Sequence, residues 1–190
     1  NLADYVGGGI YNYGTLTITN STLSGNSASS GGGGIANEIS SNLIITNNTF
    51  SGNSGGNAGG GIANLGTLTI TNSTLSGNSA SAGSGIYNGE VMNYSNTIIA
   101  DGVTGSDCYN DIGMGGIINT NTNNLVEVNA ASPNHCGTPA IAADPKLGPL
   151  ANNGGFTQTM ALGAVSPAIN AGTNTGCPST DQRGVTRPQG

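Results

Sequence analysis

The sequence predicts an all-β fold, a single-stranded parallel β-helix or solenoid with about 23–27 residues per circuit. The main observation is a repeat. The sixteen residues GTLTITNSTLSGNSAS occur twice, at 14–29 and 66–81, and a looser copy, SNLIITNNTFSGNSG, lies between them at 41–55. Self-similarity at a fixed period is the sequence signature of a solenoid. Each repeat is therefore interpreted as one circuit, or rung.

Glycine-rich leads mark the same period. GGGIYN (7–12) and GGGIAN (32–37 and 59–64) precede the three copies, and a decayed fourth copy, GSGIYNGEVMNYSNTIIADG, covers 83–102. The lead isoleucines are Ile10, Ile35, Ile62 and Ile86, with steps of 25, 27 and 24, and a second marker falls at Thr22, Thr49, Thr74 and Thr97. Leu-Thr-Ile-Thr alternates apolar and polar residues as a half-buried strand does, and Gly, Asn and Ser mark turns. Three short strands and three turns fit one rung.

The apolar residues of each repeat predict the core. Those at alternate strand positions should point inward and stack about 4.8 Å apart into aliphatic columns. The predicted columns contain Leu16, Ile18 and Leu23 in the first rung, Leu43, Ile45 and Phe50 in the second, and Leu68, Ile70 and Leu75 in the third. Ungapped alignment places Asn93 in the Ile70 position, so the fourth rung is predicted to be distorted.

Asparagines recur in register at two places in the repeat. They are Asn20, Asn47 and Asn72 in one column and Asn26, Asn53 and Asn78 in another. If they turn inward, their amides can bond along the stack as an asparagine ladder. Alternatively, they are turn residues that tolerate the left-handed conformation. The sequence leaves both interpretations open.

Composition favours one elongated domain. Regular rungs are predicted over 1–105 and irregular rungs of the same domain over 106–190, where all seven prolines follow residue 132. A terminal cap is the alternative for the second part.

The net charge is −6, and residues 1–134 contain no Lys, Arg or His. A nucleic-acid partner is not expected, because phosphate binding needs a basic surface. Membrane insertion is not expected either, since no long apolar stretch is present.

The three cysteines suggest a disulfide. Cys108 and Cys136 bracket an irregular segment that a disulfide would stabilise, although two buried free thiols are the alternative. Cys177 is left over, which indicates an intermolecular bond, an absent partner or a free thiol. The low cysteine count and the abundance of Asn, Thr and Ser favour secretion. The chain begins in mid-pattern at Asn1, as expected of a mature or trimmed product.

Two parts of the sequence resemble known bacterial proteins. The repeats GGGIYN-GTLTITNSTLSGNSA resemble those of right-handed parallel β-helix proteins with polymorphic-outer-membrane-protein-like repeats. DPKLGPLANNGGFTQTMAL (144–162), SPAINAG (166–172) and CPSTDQRGVTRPQG (177–190) resemble the end of the choice-of-anchor β-helix domain. The resemblance implies a secreted or surface-displayed bacterial protein and no catalytic residues. It also implies a following cysteine-containing segment and anchor, and thus an absent partner for Cys177.

The sequence gives little support for an enzyme. Polysaccharide lyases and hydrolases share this fold, but glycosidases need two carboxyl groups about 5–10 Å apart. Glu38 and Glu90 lie two rungs apart in similar turns and are interpreted as solvated side chains, as is His135. No cofactor is expected. Bound Ca²⁺ at Asp101, Asp107 and Asp111 is a lesser alternative, since oxygen ligands suit this ion.

The outward positions suggest two surface functions. Thr15, Thr17, Thr19, Thr67, Thr69 and Thr71 form an array that Ile44, Met92 and Tyr94 interrupt, which argues against an ice-binding plane. A glycan-binding adhesin would use Tyr87, Met92 and Tyr94. Asn20, Asn47, Asn72 and Asn93 head glycosylation sequons, which require that they face solvent.

The function most favoured by the sequence is structural. Rungs expose unpaired backbone edges at both ends of a solenoid, and such edges must be capped or paired. The few residues before the first lead are too short for an obvious cap. We therefore expect an extracellular protein whose partner is itself, through end-to-end stacking into a filament or scaffold. A carbohydrate-binding adhesin is the alternative, and a lyase or hydrolase is less favoured.

Overall fold

The computed structural model describes residues 1–187, which form an all-β parallel solenoid of about five rungs without any helix. The strands are β1 (Leu2–Ala3), β2 (Ile10–Asn12), β3 (Thr15–Thr19), β4 (Thr22–Ser24), β5 (Ser27–Ala28), β6 (Ile35–Asn37), β7 (Asn42–Thr46), β8 (Thr49–Ser51), β9 (Ser54–Gly55), β10 (Ile62–Asn64), β11 (Thr67–Thr71), β12 (Thr74–Ser76), β13 (Ile86–Asn88), β14 (Val91–Ser95), β15 (Ile98–Ala100), β16 (Cys108–Asn110), β17 (Ile117–Thr122), β18 (Leu125–Val126), β19 (Leu147–Ala151) and β20 (Thr159–Leu162).

Three parallel sheets of five strands form the sides of the solenoid. Their orders are β16-β13-β10-β6-β2, β17-β14-β11-β7-β3 and β18-β15-β12-β8-β4, and a smaller sheet has the order β1-β5-β9. In the first sheet, Ile10, Ile35, Ile62, Ile86 and Cys108 are in register. Strands β2, β3 and β4 therefore form one end of the stack, the N-terminal end.

The apolar columns fill the interior. Leu43, Ile45, Phe50, Leu68, Ile70 and Leu75 are all 0% exposed. Leu16, Ile18 and Leu23 pack against this core but are only partly buried, because no rung lies on their other side. Alternate residues of β3, β7 and β11 face solvent, as the period-2 pattern predicts.

The fourth rung keeps the register, and the ungapped alignment of Asn93 was wrong. Tyr94 pairs with Ile70, while Asn93 pairs with Thr69 on the outward face. Met92 and Tyr94 are 0% and 1% exposed and belong to the core. The spacing from the lead isoleucine to the next strand is five residues in both rungs, Ile62 to Thr67 and Ile86 to Val91. The ungapped alignment was displaced by one residue because it matched Thr97 to Thr74, which pairs with Ile98. The alternation of the strand is preserved.

Two internal asparagine ladders run along the stack. Asn12, Asn37, Asn64, Asn88 and Asn110 are linked side chain to side chain, with every Nδ2–Oδ1 distance 2.7 Å. In the second ladder, the Nδ2 of Asn26 donates to Asn53 at 2.9 Å, and that of Asn53 donates to Asn78 at 3.0 Å. Each buried amide therefore finds a partner in the next rung.

Asn20, Asn47 and Asn72 form no such internal ladder. Together with Asn96 and Asn123 they occupy the same corner of successive rungs with φ between 48° and 56°, the left-handed region that asparagine tolerates. We call these five residues the corner asparagines. Asn47 donates to the Oδ1 of Asn20 at 3.1 Å, but the Nδ2 of Asn72 is buried without a hydrogen-bond partner. For this column the turn interpretation describes the structure.

The region after residue 105 divides into two parts. Strands β16, β17 and β18 complete the fifth rung, and residues 128–141 then pass over its outer edge. Instead of further irregular rungs, β19 and β20 pair with each other in an antiparallel hairpin. Residues 170–187, the strap, then return along the outside of the solenoid over the corner asparagines. The chain leaves the stack here because it no longer supplies the periodic apolar residues that a rung requires.

Candidate functional site

The N-terminal end of the solenoid is the most distinctive surface. We call the outer edge of β2, β3 and β4 the N-terminal face. Ile10, Leu16, Ile18 and Leu23 are partly exposed there, although their equivalents in the second and third rungs are fully buried. A depression of about 260 Å³ opens onto Ile10 and Leu23. The face thus presents both unpaired strand edges and the cross-section of the core.

This end is also apolar around its rim and nearly uncharged. Leu2, Tyr5, Tyr11 and Tyr13 are 80%, 71%, 52% and 78% exposed. Asp4 is the only charged side chain before residue 38. Strands β2, β3 and β4 contain no charged residue, proline or bulge, the features that usually protect an edge strand from pairing with another chain.

The opposite end is protected. The Asp107 and Ala130 N–H groups donate to the Val128 and Cys108 carbonyls at 2.7 and 3.1 Å, and the Ile141 carbonyl accepts from Val126 at 3.0 Å. A bulge interrupts the pairing of β14 with β17. Residues 128–141, which we call the end loop, therefore cover much of the C-terminal edge.

A disulfide fixes the end loop. Cys108 and Cys136 are bonded, with a sequence separation of 28, and both are 0% exposed. The buried hydroxyl of Tyr94 donates to the Cys136 carbonyl at 2.6 Å, and burial raises the pKa of Tyr94. The disulfide predicted from the sequence is confirmed. A buried disulfide indicates folding in an oxidising environment.

The strap docks on the corner asparagines. Asn123 donates to the Ala171 carbonyl at 3.0 Å, and Asn47 donates to the Thr180 carbonyl at 3.0 Å. Between these positions, Asn96 both donates to Thr173 and accepts from it, each at 2.9 Å. Successive strap residues thus meet successively earlier rungs. The outer asparagine column holds the C-terminal segment in place.

Cys177 lies inside this contact. It has no disulfide partner within residues 1–187, and its Sγ donates to the Asn72 Oδ1 at 3.2 Å. The strap also affects the predicted sequons: Asn47 is 3% exposed, and Asn72 is partly covered. A glycan on Asn47 is incompatible with the docked strap.

Three acidic residues cluster on the surface of the part of the chain that the structure describes. Carboxylate oxygens of Asp101, Glu127 and Asp144 lie within 4.8 Å of one another. Lys146 pairs with Asp144 at 2.6 Å, and its hydrogen bond lowers the pKa of that carboxyl group. Oxygen groups of this kind can hold a divalent cation. The calcium interpretation from the sequence combined Asp101 with other residues, Asp107 and Asp111, which the structure does not place in this cluster.

Asp107 and Asp111 have other contacts. Asp107 is 1% exposed, and burial raises its pKa, although the Gly102 and Val128 N–H groups donate to its oxygens at 2.8 and 2.7 Å. Asp111 accepts from the Tyr87 hydroxyl at 2.5 Å. Both carboxyl groups are thus engaged within the fold.

The residues considered for catalysis and glycan binding are dispersed. Desolvation raises the pKa of Tyr11, and the neighbouring Glu38 carboxylate raises it further. Glu90 lies at a shallow depression beside Ser41 and Thr67. His135 is exposed and accepts from the Gly137 N–H at 3.0 Å. For the adhesin interpretation, Met92, Tyr94 and Tyr87 were the wrong residues, since none is more than 9% exposed.

Sequence reasoning missed the longest ladder and the strap. The ladder had a visible signal: Asn12, Asn37, Asn64 and Asn88 each stand two residues after a lead isoleucine. No comparable periodic signal marks the strap. The corner asparagines donate to its backbone carbonyls, which every residue type has, and the sequence of the strap does not repeat.

The chain matches no protein-family model, no curated protein and no solved structure. Residues 1–187 contain no helix of the length and hydropathy that crossing a bilayer requires.

Proposed function

We propose that this chain is a non-enzymatic structural protein that associates with a second copy of itself through the N-terminal face. The observation that carries the proposal is the contrast between the two ends. The N-terminal face has uncharged strands and partly exposed core residues, while the end loop, a bulge and a disulfide protect the other end.

The physical argument concerns both strand edges and apolar area. Unpaired N–H and C=O groups at a flat edge are a template for another strand. Ile10, Leu16, Ile18 and Leu23 would lose their remaining contact with water in the same step, at about 25 cal/mol for each Å² of apolar area buried. Asp4 is the only charged side chain nearby in sequence, so repulsion between two copies is weak.

The geometry favours a head-to-head pair. A head-to-tail filament, expected from the sequence, needs an open edge at both ends. The end loop occupies much of the C-terminal edge through backbone hydrogen bonds such as those from Ala130 to Cys108 and from Val126 to Ile141. Contact between two identical faces closes on itself and stops at two copies.

An extracellular setting for this role is part of the proposal. The buried disulfide supports an oxidising compartment. The resemblance of the repeats and of 144–190 to surface-displayed bacterial β-helix proteins points in the same direction. We propose a secreted or surface-attached bacterial protein on these grounds.

Sedimentation velocity over a range of concentrations tests the proposal. The chain should shift toward twice its mass of 18.5 kDa as the concentration rises. Thr17→Lys places a charge on the edge strand and should keep the protein monomeric. Thr69→Lys is the matched control, because this residue has the same position two rungs away. A monomer at every concentration, or equal effects of the two substitutions, would refute the proposal.

A further inference from the structure

A cleft separates the strap and the β19–β20 hairpin from the side of the solenoid. It consists of two adjoining cavities of about 420 and 580 Å³, within the range of small-molecule sites. Both are lined by Asn72, Thr74, Ile98, Leu162, Asp181, Arg183 and Arg187. The lining thus combines an apolar part with hydroxyl, amide and guanidinium groups and with the Asp181 carboxylate, which Arg183 neutralises.

The cleft contains the one cationic side chain of residues 1–187 that has no acidic partner. Lys146 pairs with Asp144, and Arg183 pairs with Asp181 at 2.6 Å. Burial opposes ionisation of Asp181, but the hydrogen bonds from Arg183 and the backbone hold its pKa below the ordinary value. Arg187 instead uses only Nη1, which donates to the Asn47 Oδ1 at 2.9 Å and to the Thr180 carbonyl at 3.0 Å.

This arrangement leaves donors available for a ligand. The Nε and Nη2 groups of Arg187 have no protein partner within residues 1–187, although the chain has nine acidic residues and only three basic ones. A guanidinium group presents its donors in a planar fork that matches a carboxylate. The hydroxyl of Thr74 likewise makes no hydrogen bond in this part of the chain and lines both cavities.

We propose that the cleft binds a small hydroxylated carboxylate of the size of a sugar acid. Arg187 binds the carboxylate, Thr74 bonds a ligand hydroxyl, and Ile98 and Leu162 contact the carbon skeleton. The cleft lies on the side of the second to fourth rungs, away from the N-terminal face, so this proposal does not depend on self-association.

Isothermal titration calorimetry with glucuronate tests this inference, with glucose and sulfate as comparison ligands. Glucuronate should bind the unmodified chain at least tenfold more tightly than glucose or sulfate, because only glucuronate has both the carboxylate and the hydroxyls. Arg187→Gln should weaken glucuronate binding by about tenfold or more, as expected for loss of a charge-assisted hydrogen bond. Lys146→Gln, at an exposed cation outside the cleft, should leave the affinity unchanged.

A second variant separates ligand binding from strap docking. Arg187 also contacts Asn47, so its replacement can loosen the strap. Thr74→Val keeps the shape and the strand and removes only the free hydroxyl, and it should weaken glucuronate binding severalfold without lowering the melting temperature. Absence of glucuronate binding to the unmodified chain, equal binding of glucose or sulfate, or full affinity in both variants would overturn the proposal.

Discussion

Replacing Asn64 by alanine is expected to destabilise the solenoid strongly, because this side chain is the centre of the longest ladder. Asn64 is 0% exposed. Its Nδ2 donates to Asn88 at 2.7 Å and to the Gly66 and Val91 carbonyls at 2.9 and 3.1 Å, and its Oδ1 accepts from Asn37 at 2.7 Å.

The magnitude follows from the groups that lose their partners. The alanine variant leaves the Asn88 Oδ1 and the Gly66 N–H buried without a substitute, whereas the Asn37 amide keeps the Thr67 carbonyl at 3.3 Å. Each orphaned buried group costs about 1–3 kcal/mol, so the loss of partners for two groups should lower the free energy of unfolding by about 2–6 kcal/mol.

Urea unfolding followed by circular dichroism measures this change. Asn93→Ala is the matched control, since Asn93 is on the outward face of β14 and has a solvent-exposed hydrogen bond to Asn119 at 2.7 Å. We expect the control to lose about 0.5 kcal/mol or less. Equal losses in the two variants would refute the claim that the ladder stabilises the core.

Three further predictions concern the strap, a buried acid and the disulfide. Asn47→Gly should lower the unfolding free energy by about 1–3 kcal/mol through loss of its strap bonds. Asn72→Gly should be close to neutral, because it removes an unpartnered buried donor together with the weak hydrogen bond from the Cys177 thiol, which keeps the Thr173 carbonyl; equal effects in urea titrations would contradict this. Burial raises the pKa of Asp107 above its unfolded value of 3.8, so its contribution to stability is present below that pH and is lost as the pH rises through the folded pKa. Urea titrations at a series of pH values from 3.8 upward should show that the free energy of unfolding of the unmodified chain falls relative to that of Asp107→Asn. A difference between the two proteins that does not change with pH would refute a raised pKa for Asp107. Cys108→Ala with Cys136→Ala should cost about 3–4 kcal/mol for a separation of 28 residues, and an unchanged thermal transition would contradict the stabilising role of the disulfide.

The repeat made the solenoid and its core predictable. Leu43, Ile45 and Phe50 could be assigned to inward columns because strand alternation and rung spacing both constrain them. The fourth rung was harder, since the repeated threonine suggested Thr97 as the equivalent of Thr74, whereas Thr74 pairs with Ile98 and an alignment on Thr97 is displaced by one residue. The sequence therefore predicted an outward position for Tyr94, but its side chain is buried in the structure.

The candidate sites were less predictable for a physical reason. Asn47 and Asn53 are equally periodic, and only the backbone conformation distinguishes a left-handed corner from an inward ladder position. The cleft depends on Arg187 meeting Asn47, 140 residues earlier in the chain, through a strap without a repeat. Periodicity constrains the contacts between rungs, but it does not constrain contacts of a segment that lies outside them.

Hydrogen exchange as a function of protein concentration tests the central claim, association through the N-terminal face, most directly. We expect the amides of Ile10–Asn12, Thr15–Thr19 and Thr22–Ser24 to become more protected as the concentration rises, because a second copy covers this edge. Amides of the fifth rung, at Cys108–Asn110 and Ile117–Thr122, should not change. Exchange of the first-rung strands that is independent of concentration, or new protection at the fifth rung alone, would contradict the account.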